Sequence, residues 1–327
     1  MDTTTSSRPG PRPGPRTSRP SGSVADEPAI LVRDLRRTYG SGKQAFEAVR
    51  GVDLDVEAGT VSALLGTNGA GKTSTMELIE GLGRPSAGEV RVLGLDPVAD
   101  RAAVRRRLGI LLQRSGFSGD LSVLETLQMW HSTLSRPRPV ADMLDALRLT
   151  GRADTRVVGL SGGEQRRLDL ACTLMGDPDV VLLDEPTTGL DPESRRDVWS
   201  LIRGLRDGGT TVLLTTHYLD EAEALADELA IMHEGRIVRR GTVPQIVEGH
   251  PSVVRFTTPD RPLPDLLGTA TTERGLTVVE TDDLQRTLTA LLTWADGHGV
   301  RLADLSARTA TLESVFLAVA DQEGSTR

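Results

Sequence analysis

A chain of 327 residues has room for one large domain and a smaller one, each with its own core. Its 38% hydrophobic and 26% charged residues exclude disorder throughout, and a net charge of -8 with a pI near 5.3 argues against nucleic acid as the main partner. The single cysteine, Cys172, excludes an intramolecular disulfide framework or a thiolate metal cluster and suits a reducing compartment.

Residues 1–27 are dominated by Pro, Ser, Thr, Gly and Arg and have almost nothing to bury, so a disordered tail is expected there. Order begins with the strand-like run Ala29 to Leu35, followed by Tyr39 near a Gly/Ser loop. Val52, Leu54 and Val56 alternate with Asp53 and Asp55 as a second, half-exposed strand. Tyr39 either stacks on an adenine face or packs in the sheet. The apolar run Val61 to Leu65 then leads into Gly66-Thr67-Asn68-Gly69-Ala70-Gly71-Lys72-Thr73-Ser74, with the G-x-x-x-x-G-K-[ST] spacing of a phosphate-binding loop. Its glycines let several backbone N–H groups converge on one anion at the start of a helix, Lys72 would reach β and γ phosphates, and the Thr73 hydroxyl would sit on Mg²⁺. Lysine at this slot is not background, because Lys43 and Lys72 are the only lysines among 38 basic residues.

A helix is expected over Thr73 to about Leu82, a strand over 88–93, and a helix from about Pro97 to Arg107. The apolar run from Gly109 ends in Gln113, where open α/β sheets place ligand-contacting groups; Gln113 is a Mg²⁺ or water contact or a polar strand end. From about 120 to 176 the pattern turns helical. Ser122 and Glu125 have capping-box spacing, and the Pro137 to Pro139 segment separates two helices with core-facing stripes. The turn Leu160-Ser161-Gly162-Gly163-Glu164 opens another helix, a second anion-binding geometry. The strand Val180 to Leu183 ends in Asp184 and Glu185. Paired carboxylates at a buried strand tip repel without a cation, which points to a metal site and a base. Asp191-Pro192 starts a helix, and a buried strand over 210–215 ends at His217.

Jointly, these pieces resemble the nucleotide-binding subunit of ATP-binding-cassette transporters, over roughly Ile30 to Gly241 and in the family's order. Tyr39 falls at the adenine-stacking aromatic, Gly66 to Thr73 at Walker A, Gln113 at the Q-loop, and Leu160 to Glu164 at the LSGGQ signature. Val180 to Glu185 matches Walker B with its catalytic glutamate, Gly189-Leu190-Asp191 the D-loop, and His217 the switch histidine. Thr67 stands where the family most often has Pro, and Glu164 replaces Gln; neither change removes a catalytic group. The resemblance implies a P-loop NTPase fold of α/β class with an antiparallel β subdomain and a helical subdomain at about 115–176. The expected limits are 28–245 for this ATPase domain and 250–322 for a small α+β appendage, whose ending, Thr311 to Leu317, resembles daunorubicin-resistance-type exporter ATPases. In the appendage, Leu284, Leu288, Leu291 and Leu292 are expected on one helix face.

What the resemblance further implies is ATP hydrolysis with Mg²⁺. Lys72 and the loop amides hold phosphates, Thr73, Gln113 and Asp184 arrange the metal, Glu185 acts as base and His217 contacts the γ phosphate. It also implies a head-to-tail pair of copies, a homodimer or a heterodimer with another such ATPase, with Ser161 to Glu164 of one completing the other's site. A separate integral membrane permease would be the partner. No apolar stretch approaches the ~18 residues that span a bilayer, so the expected location is the cytoplasm, peripheral on the inner face of the membrane. No nucleic acid partner is expected. The competing reading is a soluble cassette ATPase in translation or DNA repair, although the double cassette or long coiled-coil insertion usual there is not visible. A GTP switch fails because neither lysine sits in an [NT]-K-x-D tetrapeptide.

Overall fold

The computed structural model describes residues 27–113 and 116–321, so all but the last residue of the expected N-terminal tail lies outside the described residues. Three strands form an antiparallel sheet in the order β2-β1-β4: β1 (Ile30–Tyr39), β2 (Phe46–Val56) and β4 (Ala87–Val92). The fully buried strand β3 (Val61–Leu65) belongs to a second sheet. With β5 (Leu108–Leu111), β6 (Val180–Asp184), β7 (Thr211–Thr216), β8 (Glu228–His233) and β9 (Arg236–Gly241) it forms six strands in the order β5-β6-β7-β3-β8-β9. Five run parallel and β9 closes the edge antiparallel to β8.

The inner strands read as continuous apolar runs because both faces are covered. Side chains alternate between those faces, and two cores result. Leu64, Leu182, Leu213 and Met232 join the antiparallel sheet and the helix α1 (Lys72–Ile79) on one side. Ala63, Leu65, Leu183 and Leu214 face the other side. There they meet α3 (Val123–Thr133), α4 (Val140–Ala146), α5 (Gly162–Leu174), α6 (Pro192–Asp207) and α7 (Leu219–Leu225). The helix expected over 97–107 shrinks to α2 (Arg101–Arg105), where Asp100 closes no side-chain cap and Arg107 is drawn to Asp179 at 2.6 Å. The α3 helix carries the expected capping box of Ser122 and Glu125.

After the short helix α8 (Val243–Val247) come β10 (Ser252–Thr257), β11 (Thr269–Glu273), β12 (Leu276–Thr281), α9 (Leu284–Gly297) and β13 (Ser306–Arg308). The four strands pair in the order β11-β12-β10-β13. Their core is small, with Val254, Phe256, Val279 and Leu291 buried. Leu284, Leu288 and Leu291 do share the inner face of α9, but Leu292 is exposed, one helical step of about 100° beyond it. The last helix, α10 (Leu312–Asp321), leaves this unit: Leu312 and Val315 are buried in the larger core with Ala222 and Leu225, and α10 packs on α7, α8 and β8. Among the described residues no helix is long and apolar enough to cross a membrane.

Candidate functional site

Parallel pairing brings the ends of four strands to one edge. Leu65 lies opposite Thr216, Asp184 opposite Thr215, and Leu111 opposite Leu183, so the segments after β3, β6, β7 and β5 all begin at the same level. That edge is where a parallel sheet exposes its ligand-binding crevice.

The Gly66 to Gly71 loop ends in α1, with Gly71 as N-cap at φ 102°, a left-handed conformation that suits glycine. A Cβ there would lie 2.5 Å from the Ala48 carbonyl oxygen, so the loop is pressed against β2. Thr67, Asn68 and Gly69 are exposed and Ala70 is buried. The Lys72 side chain folds back under the loop, where Nζ donates to Gly66 O at 2.8 Å and Thr67 O at 3.2 Å. Only 5% of its side chain is exposed, and the nearest acid, Glu185 Oε1, is 3.9 Å away. Burial pulls the Lys72 ammonium below its ordinary range, and the charges of Glu185 and Asp184 offset only part of that. A buried cation facing mostly neutral carbonyls is a site built for an anion.

Thr73 Oγ1 donates to Asp184 Oδ2 at 3.4 Å, and Thr215 Oγ1 donates to Asp184 Oδ1 at 2.5 Å. Glu185 follows with φ 46°, a left-handed backbone at a non-glycine residue. Its amide donates to Thr215 Oγ1 at 3.0 Å. Two hydrogen-bond donors and two further nitrogens surround its carboxylate. Gln113 Nε2 donates to Oε2 at 3.2 Å and Thr188 Oγ1 donates to the same oxygen at 3.1 Å. Near Oε1 lie Lys72 Nζ at 3.9 Å and His217 Nδ1 at 3.2 Å, the latter not aligned as a hydrogen bond. Burial would raise the Glu185 carboxyl, but His217, Thr188 and Lys72 together hold it below the usual range. The His217 ring lies 4.1 Å from that of Tyr218, whose own ring receives the Arg195 guanidinium at 4.4 Å.

Other expected residues stand apart from this cluster. Tyr39 is 37% exposed, with Arg37 over its ring at 4.8 Å and its hydroxyl donating to Ser74 Oγ at 3.2 Å and Glu77 Oε2 at 3.1 Å. Ser161 caps α5: Glu164 N donates to its Oγ at 3.3 Å, and the Glu164 carboxylate accepts from Ser161 N at 2.9 Å and from Arg152 at 2.7 Å. Ser161 and Gly162 are exposed, while Gly163 is buried where a Cβ would run into the Ser194 side chain at the start of α6. Among the described residues, no hydrogen bond or ion pair joins Ser161, Gly162, Gly163 or Glu164 to the Gly66 to Ser74 loop. Asp191 spends both oxygens on α6, accepting from the amides of Glu193 and Ser194 and from the Ser194 hydroxyl. Thr188 and Thr215 were not foreseen from sequence: hydroxyls beside a Walker B match carry no motif of their own.

Among the described residues no group of three or more His, Cys, Asp or Glu side chains could hold a metal ion. Thr73 Oγ1 and the Asp184 carboxylate, 3.4 Å apart, form a pair suited to a hard cation that keeps waters and takes other ligands from phosphate.

Residues 49–188 match the family model described as ABC transporter, and 252–311 match one described as the C-terminal domain of ABC transporter domain-containing protein-like sequences. The chain is 37% identical over 305 residues to the daunorubicin resistance ATP-binding protein DrrA3 of Streptomyces coeruleorubidus, covering 88% of this chain and 95% of that one. It is 40% identical over 225 residues to the Nod factor export ATP-binding protein I of Burkholderia orbicola, covering 67% and 72%. A solved ATP-binding subunit of an ABC transporter superposes with a TM-score of 0.59 at 27% identity, over 67% of this chain and 91% of that one.

Proposed function

The chain belongs to the ABC transporter family as an ATP-hydrolysing subunit, and on that premise we propose that it energises export of a small molecule through a separate integral membrane permease. The relatives named for drug resistance and for Nod factor export support export, and none supports a role in translation or repair. The observation that carries the reading is the convergence of Lys72, Thr73, Gln113, Asp184, Glu185 and His217 on one sheet edge.

When bound, ATP with Mg²⁺ supplies the phosphoanhydride to be cleaved and the cation that neutralises its charge. Lys72 and the loop amides from Gly66 to Ser74 hold the β and γ phosphates, and Thr73 and Asp184, with Gln113, hold the metal directly or through water. Tyr39, partly exposed, offers its ring to adenine, with Arg37 already over it. Glu185 orients and polarises the attacking water. Its two hydrogen bonds, from Gln113 and Thr188, both fall on Oε2, so Oε1 is the oxygen placed to accept a proton from water. Phosphate oxygens would draw Lys72 and His217 further from Oε1, while Thr188 and Gln113 keep Oε2 oriented.

Each chain carries one phosphate loop and one Ser161 to Glu164 turn, the latter with Ser161 and Gly162 facing outward. Two copies, or this chain and a second ATPase, assemble head to tail so that Ser161, Gly162, Gly163 and Glu164 of one cover the nucleotide on the other, with Asp191 at the seam. Loss of the γ phosphate opens the pair, and the opening drives the permease. The assembly sits on the cytoplasmic face of the membrane. We place the ATPase domain at 28–245, with α10 packed onto its core, and the accessory unit from 250 to the end of β13.

Glu185→Gln tests this. It leaves ATP binding intact and lowers turnover about a hundredfold or more, ~2.7 kcal/mol in the barrier, and with ATP it traps a dimer by light scattering. Undiminished turnover rules out Glu185 as the base, and a mass that stays monomeric at high concentration rules out the sandwich.

A further inference from the structure

Helix α5 carries a buried guanidinium that none of these steps uses. Arg166, five residues past Ser161, is 7% exposed. Its Nε donates to Pro186 O at 2.7 Å, Nη1 to Leu112 O at 2.8 Å, and Nη2 to Asp184 O at 3.1 Å and Glu185 O at 3.0 Å. Asp169 Oδ2, three residues along the same helix, lies 3.8 Å from Nη1 and balances the charge.

The four acceptors are not scattered. Three are consecutive peptide carbonyls at the tip of β6, and the fourth belongs to the residue before Gln113. Glu185 is held in its left-handed conformation from both ends, since Thr215 takes its amide and Arg166 its carbonyl. A planar fork with donors on fixed vectors can serve carbonyls on two neighbouring segments at once, whereas an ammonium with three donors on one point cannot. All four of these hydrogen bonds go to backbone carbonyls and none to a side chain of the catalytic cluster. The guanidinium acts on the backbone that aims those side chains.

We propose that Arg166 is a positioning residue that locks the peptide units carrying Glu185 and Gln113 to helix α5, so that base and glutamine follow the Ser161 to Glu164 end of that helix when it engages a second copy. This rests on the reading of Glu185 as the base.

The test compares Arg166→Lys with Glu185→Gln and with the double variant. Arg166→Lys lowers kcat about tenfold or more while the KM for ATP and the affinity for a fluorescent ATP analogue stay within about twofold; in the Glu185→Gln background it costs less than about twofold further. In nucleotide-free protein, hydrogen–deuterium exchange quickens in peptides covering 112–113 and 184–188 and not in β3 or the antiparallel sheet. Arg166→Gln, whose amide can serve two carbonyls at most, shows a change in the same direction and replaces Arg166→Lys if that variant does not fold. Wild-type turnover by folded Arg166→Lys, equal losses in both backgrounds, or exchange quickened throughout the domain would each overturn the proposal. Undiminished turnover in Glu185→Gln overturns the base assignment instead, and the exchange pattern then decides on Arg166 alone.

Discussion

Thr215 provides a sharp test of how the site's carboxylates are held. It is fully buried on β7, its hydroxyl donates to Asp184 Oδ1 and accepts the Glu185 amide, and Asp184 is itself only 5% exposed. Thr215→Val preserves the shape and removes both bonds. The Glu185 amide retains a second acceptor, the Thr215 carbonyl oxygen at 3.2 Å, so the main loss is one hydrogen bond to a charged acceptor, about 2–3 kcal/mol. Thr215→Ser keeps the hydroxyl and loses one buried methyl, about 1 kcal/mol. For a domain of this size about 2–4 °C accompanies each kcal/mol, so the ATPase transition should fall by about 4–12 °C in the valine variant and about 2–4 °C in the serine variant. Calorimetry without nucleotide reads both. Should the serine variant prove the less stable of the two, or the valine variant melt with the wild type, packing and not the hydroxyl holds Asp184, and the reasoning fails.

Glu80, at the end of α1, is buried at 3% exposure with its carboxyl pushed up to about 7, first by burial and then by the charges of Asp184 and Glu77. Since the folded value lies above the ordinary 4.5, this group's contribution to stability is greatest below pH 4.5 and is lost as pH rises toward 7, by about 3 kcal/mol in all. Glu80→Gln should therefore unfold at a higher urea midpoint than wild type at pH 8 and at nearly the same one at pH 4.5; a difference independent of pH refutes this. Leu312→Ala, at 1% exposure in the larger core, should destabilise the ATPase domain by about 2–5 kcal/mol. A melt in which only the accessory unit's transition moved would show that α10 does not belong to the ATPase core.

The motifs at Gly66 to Ser74, Asp184-Glu185 and Asp191-Pro192 were legible because each is local: a turn, a strand tip or a cap is specified by neighbours within about one helical turn. For the same reason the capping box at Ser122 was readable. The same S-x-x-E form recurs at Ser161 within a glycine-rich turn, and the structure shows that Ser161 and Glu164 build the start of α5 as a capping box. The α2 helix came out shorter than expected because its only signals were the polar residues at its ends, which other partners claimed.

By itself the sequence announced the family and the ends of its strands: the Gly66 to Ser74 loop, the Asp184-Glu185 pair, Gln113 and His217 each follow an apolar run. Only the tertiary structure decided what holds them. Thr215 meets Asp184 across 31 residues and Arg166 reaches Leu112 across 54, contacts made by parallel strand register and by the seat of α5 on the sheet. The C-terminal helix shows the same division. Its stripe of Leu312, Val315, Phe316 and Val319 announced a core but not which one, since an apolar face records how much surface must be buried and carries no address for the surface that will bury it.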